Sequence, residues 1–392
     1  MTEYIYSFLT ERNKERTIKD TSIDFLAKKE LTVLSLDHAV VVSRKAGGPG
    51  VFSSDGYVKE SDLHIGFSSV RGIPNESLVH YNDEEVVYVG CLLSVWGHCL
   101  TDNLKHLWFL QDERYVHLKK LKFVYTMLND DDSLSSGMLA LYNKLGIHED
   151  QLIRVTGVER FLRIYLPEQC FFCVPGGDFY KSGYRYYTKE YKRIVQAILD
   201  NTKMTSGPEK VYFTRTKWVR KANQKYRDFG ENYIEDFFRE LGYEIISPEE
   251  FSLDEQISIV HGCKRFATTQ GSTSLNALFC EDGTEVCIIN KQNYNAPYQL
   301  AINHLIPCRI TIIDANKSTL NSKKTPWAGP FFMYRSKELC AWGGKPYKGF
   351  PIKDYALYLF IVKAREMKRK LSKPKNKIRN LVKACLRAPF SS

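Results

Sequence analysis

The chain has 392 residues, 43% hydrophobic and 13% aromatic, enough for two cored domains, and no run of about 18 apolar residues predicts a membrane-spanning helix. The net charge of +11 is local: from Lys345 onward there are 14 Lys/Arg against Asp354 and Glu366, a net of +12, which leaves −1 for residues 1–344. A neutral body argues against a nucleic-acid groove, and a basic tail argues for an anionic surface as its partner.

The opening MTEYIYSFLTERNKER lacks a signal-peptide core, and ten scattered cysteines fit a reducing cytosol. Residues 1–30 read as a polar lead-in, helical or irregular. Leu31 to Val42 alternates like a strand, and residues 45–80 are loop-rich. Glu85 to Leu93 is a buried strand by its β-branched and aromatic content. A helix is expected from Gly97 through Leu110, with His98 and Asp102 sharing one face. Lys122 to Leu128 is a strand. In the acidic run Asn129-Asp130-Asp131-Asp132, Asp132 or Ser133 is expected to cap the next helix. Such a run can also hold a metal-bound nucleotide, so Asp130 and Asp132 form a competing site. One or two strands fill Leu152 to Leu166. Cys170 and Cys173 make one C-x-x-C without a second pair or nearby histidine, and read as buried thiols in a strand. Residues 167–187 form an ordered loop, Lys189 to Asn201 a helix, and Thr202 to Lys210 a linker.

The second half alternates more regularly. A strand at Val211–Thr214 leads into Arg215, Lys217, Arg220 and Arg227, whose guanidinium groups suit phosphate oxygens. A helix over about 231–241 ends at Gly242, and Tyr243–Ser247 is a strand. Ser252 and Glu255 form a capping box that starts the next helix. The strand Arg265–Thr269 feeds the turn Gln270-Gly271-Ser272-Thr273-Ser274, which opens a second helix. Glu285–Ile289 and Arg309–Asp314 are further strands. Short β/α alternation predicts a parallel, doubly wound sheet with ligands at the carboxyl ends of its strands. A glycine-and-hydroxyl turn opening a helix offers backbone N–H groups to a diphosphate. Taken alone, Ser272 or Ser274 is also an ordinary helix cap. Past Pro351 a helix runs to about Leu371. Beyond Pro374, Ile378, Leu381, Val382, Cys385 and Leu386 share one face of a basic amphipathic helix suited to anionic lipid, or the end is solvated.

Several motifs occur in order across residues 84–315. They are Gly97-His98 with Leu100 and Asp102; Arg215, Arg227 and Glu231; Gly242-Tyr243; Pro248-Glu249; Glu255-Gln256; and Gly271 with Asn276 and Phe279. This pattern resembles glycosyltransferase family 61, whose bacterial members build capsular or surface polysaccharides. The chain departs from the family's His-Gly-Ala-Gly-like turn: Gln270 replaces the histidine, and Ser272, Thr273 and Ser274 replace the small apolar positions.

The resemblance implies an α/β, GT-B-like fold of two Rossmann-like domains with a cleft between them, to which the charge and apolar pattern past Lys345 add a basic C-terminal helical tail. The expected division is 1–203 for the acceptor side, 204–345 for the nucleotide-sugar side and 346–392 for the tail. It implies an inverting, metal-independent transfer from a nucleotide sugar, UDP-linked, to a glycan or lipid-linked glycan acceptor. No cofactor or metal is expected. His98 and Asp102 are the expected catalytic pair. Arg215, Arg220, Arg227, Glu231, Gln256, Gln270, Gly271, Ser272, Thr273, Ser274 and Asn276 are the expected donor-binding residues. The enzyme is expected in the cytoplasm, at the inner face of the plasma membrane, with no nucleic-acid partner. The competing readings are a metal-dependent transferase using Asp130 and Asp132, and a binding protein that has lost the chemistry.

Overall fold

Runs such as Val286-Cys287-Ile288-Ile289 have no polar face to turn to water, and parallel strands covered on both sides accommodate them. In the computed structural model, which describes residues 2–62, 79–173, 185–221, 228–320 and 329–367, these runs build a six-stranded parallel sheet. Its order is Glu3–Ile5, Arg309–Asp314, Glu285–Asn290, Arg265–Thr269, Lys210–Phe213 and Glu244–Ile246. The chain enters at Lys210–Phe213, steps outward to Glu244–Ile246, then returns past the first strand to Arg265–Thr269. That reversal puts a topological switch point between the carboxyl ends of Lys210–Phe213 and Arg265–Thr269, which pair in register from Lys210↔Arg265 to Phe213↔Thr268.

The expected strands and helices of this half appear within a residue or two of their predicted bounds. Ser252 caps the helix Leu253–Gly262 with Glu255 in a reciprocal box, and Gly242 follows the helix Glu231–Glu240 at φ +76°. The helix expected after the 270–274 turn is a tighter 3-10 helix, Ser272–Phe279.

The chain's first residues, expected as a lead-in, instead supply the edge strand Glu3–Ile5 to this C-terminal sheet, beside Arg309–Asp314, followed by the helix Glu11–Thr21. The remainder of the first half builds an eight-stranded mixed sheet. His80–Leu92 runs parallel to both Lys122–Met127 and Val158–Pro167, and Val33–Asp37 and Val40–Val42 join antiparallel. One apolar cluster spans both sheets and includes Leu100, Leu104, Tyr191 and Ile194 from the first half and Leu275, Leu278 and Ile302 from the second. Cys170 and Cys173 are buried free thiols, Cys173 in the strand Phe171–Cys173.

Two local expectations are corrected. The helix expected from Gly97 to Leu110 closes after one turn, Trp96–Cys99. Asn103 makes the difference. Its side chain accepts from the Leu93 N–H (3.1 Å) and donates to the Leu93 carbonyl (2.7 Å), folding the chain back. Its backbone N–H reaches the His98 carbonyl at 3.0 Å, a five-residue step, so the four-residue ladder stops. The cap of the helix Ser136–Lys144 is Ser135, whose hydroxyl accepts from the Met138 N–H at 3.2 Å, and not Asp132 or Ser133. Asp132 instead accepts from the Ser94 hydroxyl (2.7 Å) and the Asn129 amide (2.9 Å).

Gly230 fixes the start of the Glu231–Glu240 helix at φ +81°, and a Cβ there would lie 2.0 Å from the Met333 carbonyl oxygen. Gly230→Ala should therefore destabilise the fold by about 3 kcal/mol or more, through both the left-handed backbone and the clash. Chemical denaturation would read this directly, and an unchanged midpoint would contradict it.

Candidate active site

The carboxyl end of Lys210–Phe213 continues into Thr214 and Arg215, and that of Arg265–Thr269 into Gln270 and Gly271. These two segments flank the switch point. Arg215 is buried, its guanidinium stacked 4.7 Å from the Trp218 ring centre. A third strand, Glu285–Asn290, ends in Lys291, buried and 4.8 Å from the Phe331 ring. The two cations converge. A Cβ on Gly271 would lie 3.5 Å from Lys291 Nζ and 3.7 Å from Arg215 Nη1, and Gly271 adopts φ +140°, which favours glycine. The backbone here leaves room between two cationic heads.

Acids balance them from below. Asp228 lies 3.9 Å from Arg215 Nη1 and 3.5 Å from Lys291 Nζ, its side chain only 2% exposed. Glu231 accepts from the Arg215 N–H at 3.1 Å. Burial, reinforced by the Asp228 charge, pushes the Glu231 carboxyl up to about 7, although Lys291 and Arg215 oppose the shift. A carboxyl raised in the folded state takes up protons on folding. Its stabilisation is therefore present at acid pH and is lost as pH rises from about 4.5 through about 7. Glu231→Gln should flatten that decline: between roughly pH 5 and 8 the wild-type melting temperature should fall relative to the variant's. Parallel curves would remove Glu231 as the titrating group.

The turn itself is divided in its roles. Gly271 and Ser272 are half-exposed, whereas Thr273 and Ser274 are buried. The Ser274 hydroxyl donates to the Gly271 carbonyl (2.7 Å) and accepts from the Gly271 N–H (3.1 Å); Thr273 Oγ1 bonds to Thr268 Oγ1 at 3.1 Å. These hydroxyls shape the turn. The amides of Ser272 and Thr273 stand at the head of the helix, where donors lack an intrahelical acceptor. Gln270 donates to the Tyr294 carbonyl at 2.8 Å, while its buried Oε1 has no hydrogen-bond partner among the described residues.

The His98 segment lies against the same turn. A Cβ on Gly97 would come within 3.2 Å of Ser272 Oγ and Leu275 Cδ1, and Trp96 Nε1 donates to Asn276 Oδ1 at 3.1 Å. His98 Nδ1 meets Asp102 Oδ2 at 2.5 Å. Asp102 is buried, and Thr101 Oγ1 (3.4 Å) and the Tyr298 hydroxyl (3.3 Å) also donate to it. The Tyr298 ring stands edge-on to the imidazole, 5.4 Å between centroids. Burial, then the Asp102 charge, raises the Tyr298 hydroxyl well above its ordinary range, keeping it a donor. A carboxylate on Nδ1 fixes the tautomer with its proton there, so the basicity resides on Nε2.

The expected residues divide accordingly. Arg215, Gly271 and Ser272 line the switch point, and Glu231, Thr273 and Ser274 support it from within. Asn276 is buried, with both amide ends used: one accepts from Trp96, the other donates to the Thr273 carbonyl at 2.8 Å. Gln256 sits at the head of its helix and donates to the Phe251 carbonyl at 3.0 Å. Arg220 is exposed on the helix Thr216–Lys221. Arg227 lies outside the described residues. Lys291, Asp228 and Tyr298 were not anticipated. For Lys291 a signal existed, since it directly follows a buried strand as Arg215 nearly does. Asp131 lies 3.4 Å from Lys45 at the surface, the Asp130 carbonyl accepts from Arg154 at 2.6 Å, and no trio of His, Cys, Asp or Glu among the described residues is arranged to hold a metal ion.

Residues 96–287 match the family model described as Glycosyltransferase 61. No curated protein matches the chain. The matched span opens at the His98 segment and includes Arg215, Glu231 and the 270–274 turn, and it stops just before Lys291.

Proposed function

Residues 96–287 form a glycosyltransferase family 61 domain and the chain that carries them is a glycosyltransferase; from that premise we propose that it transfers a sugar from a UDP-linked donor to a glycan acceptor, with inversion and without a metal. The observation that carries this reading is the convergence of Arg215 and Lys291 over Gly271 at the switch point. In the proposed complex the donor diphosphate takes that position. The two cations and the amides at the head of Ser272–Phe279 stabilise charge building on the leaving nucleotide, the task a divalent ion performs in other transferases.

The acceptor hydroxyl comes from the His98 side. As its oxygen attacks the anomeric carbon, His98 Nε2 takes its proton, the bond to the diphosphate breaks, and Asp102 stabilises the imidazolium. In this reading the body works as a GT-B-like pair, donor on the parallel sheet and acceptor toward the mixed sheet. The product belongs to a capsular or surface polysaccharide. The enzyme acts in the cytoplasm at the inner membrane face, where the basic tail meets lipid and lipid-linked acceptors are presented. Among the described residues no helix is long and apolar enough to cross a membrane.

The test is release of nucleotide diphosphate from a panel of nucleotide sugars in the presence of EDTA, with the anomeric configuration of the product read by NMR. Turnover that survives EDTA and gives the inverted linkage supports the reading. Activity lost to EDTA and restored by manganese would move the chemistry to a metal-bound nucleotide.

A further inference from the structure

The helix over residues 352–367 packs one side tightly. Tyr358 is fully buried, 5.1 Å from the Phe229 ring and 5.3 Å from Phe332. Tyr355 lies 5.1 Å from Phe332 with its hydroxyl 2.7 Å from Thr319, and Asp354 accepts from Tyr233 at 2.7 Å. The opposite side is different. Ile352, Leu357, Phe360 and Met367 are 72%, 55%, 71% and 62% exposed, side chains whose chemistry favours burial.

They are not scattered. At about 100° per residue, Ile352, Phe360 and Met367 fall within about 80° of one another and Leu357 about 60° further round, with Lys353 and Lys363 in the same sector. An apolar ridge this size, set among ammonium groups, is the pattern of a helix lying in a bilayer interface. The charge decides among partners. The sequence continues with Lys368, Arg369 and Lys370, and residues 368–392 hold nine Lys/Arg and no acid. A second copy of this face would bring like charges together, whereas an anionic bilayer attracts every one of them.

We propose that the outward face of the 352–367 helix is a membrane-docking face that places Ile352, Leu357, Phe360 and Met367 in the interfacial layer of an anionic bilayer. This deepens the membrane part of the proposed function and does not depend on the transfer chemistry. Phe229, on which Tyr358 packs, directly follows Asp228, so the docking element and the anion site share one support.

The test is cosedimentation of the full chain and of the Leu357→Ser/Phe360→Ser variant with phosphatidylglycerol and with phosphatidylcholine vesicles. The wild type should partition onto phosphatidylglycerol and not phosphatidylcholine, and the variant should bind about tenfold more weakly, since two large apolar side chains no longer leave water. Both residues are exposed, so the melting temperature and nucleotide affinity should stay unchanged. Failure of the transfer reading would instead appear as absent nucleotide binding in both proteins. Equal retention of wild type and variant, or no retention of either, would overturn the proposal. So would a wild-type dimer by light scattering that the variant breaks without changing vesicle binding.

Discussion

Replacing Lys291 by methionine should weaken nucleotide diphosphate binding by about ten- to a hundredfold, the loss of one charge-assisted hydrogen bond of roughly 1.5–3 kcal/mol. Methionine keeps an unbranched stem over the Phe331 ring, so the change removes charge more than volume. It also leaves Asp228 and Glu231 facing Arg215 without their second cation. Glu231 should then titrate higher still, because Lys291 is a force holding it down. Calorimetry on wild type and variant would measure the affinity. An unchanged dissociation constant would take Lys291 out of the site, and the switch point would then rest on Arg215 alone.

His98→Ala should have the opposite signature. Turnover should fall by about 10²–10⁴, the usual contribution of a positioned general base, while nucleotide affinity stays within about twofold. The separation follows from geometry: the imidazole is held by Asp102 and Tyr298, whereas the proposed diphosphate position lies at Arg215, Lys291 and Gly271. Asp102→Asn should also slow turnover, because a carboxamide no longer fixes the tautomer or stabilises the imidazolium. Wild-type turnover in His98→Ala would sink the base assignment. Loss of nucleotide binding in that variant would mean that the His98 segment acts through its contact with the 270–274 turn.

The parallel sheet was legible because its strands are buried on both faces, which leaves runs such as Val286–Ile289 no other place. The β/α alternation also made the carboxyl ends of the strands legible, and Arg215 and Gly271 follow two such ends, flanking the switch point. What stayed hidden depends on distant partners. Glu3–Ile5 is three residues whose strand exists only because Arg309–Asp314 offers an edge about 300 residues later. The 97–110 segment carries helical spacing, but apart from the partly exposed His98 its residues are buried, Thr101, Asn103, Lys105 and His106 with the leucines, so it lacks a polar face turned to water and local propensity yields to tertiary hydrogen bonds. Asp228 carries no local signal; its place between two buried cations comes from a two-residue strand paired with Phe331–Phe332. Asn276, a donor-binding residue by the resemblance, ties Trp96 to the turn, a contact that depends on a partner 180 residues away.

The most direct test of the central claim, a diphosphate held at Arg215, Lys291 and Gly271 without a metal, is a thermal-shift titration of the protein with UDP, GDP, CMP and dTDP, each with and without manganese. UDP should raise the melting temperature, manganese should leave the rise unaltered, and Lys291→Met should move it to about ten- to hundredfold higher nucleotide concentration. No rise with any nucleotide, or a rise only when manganese is present, would contradict it.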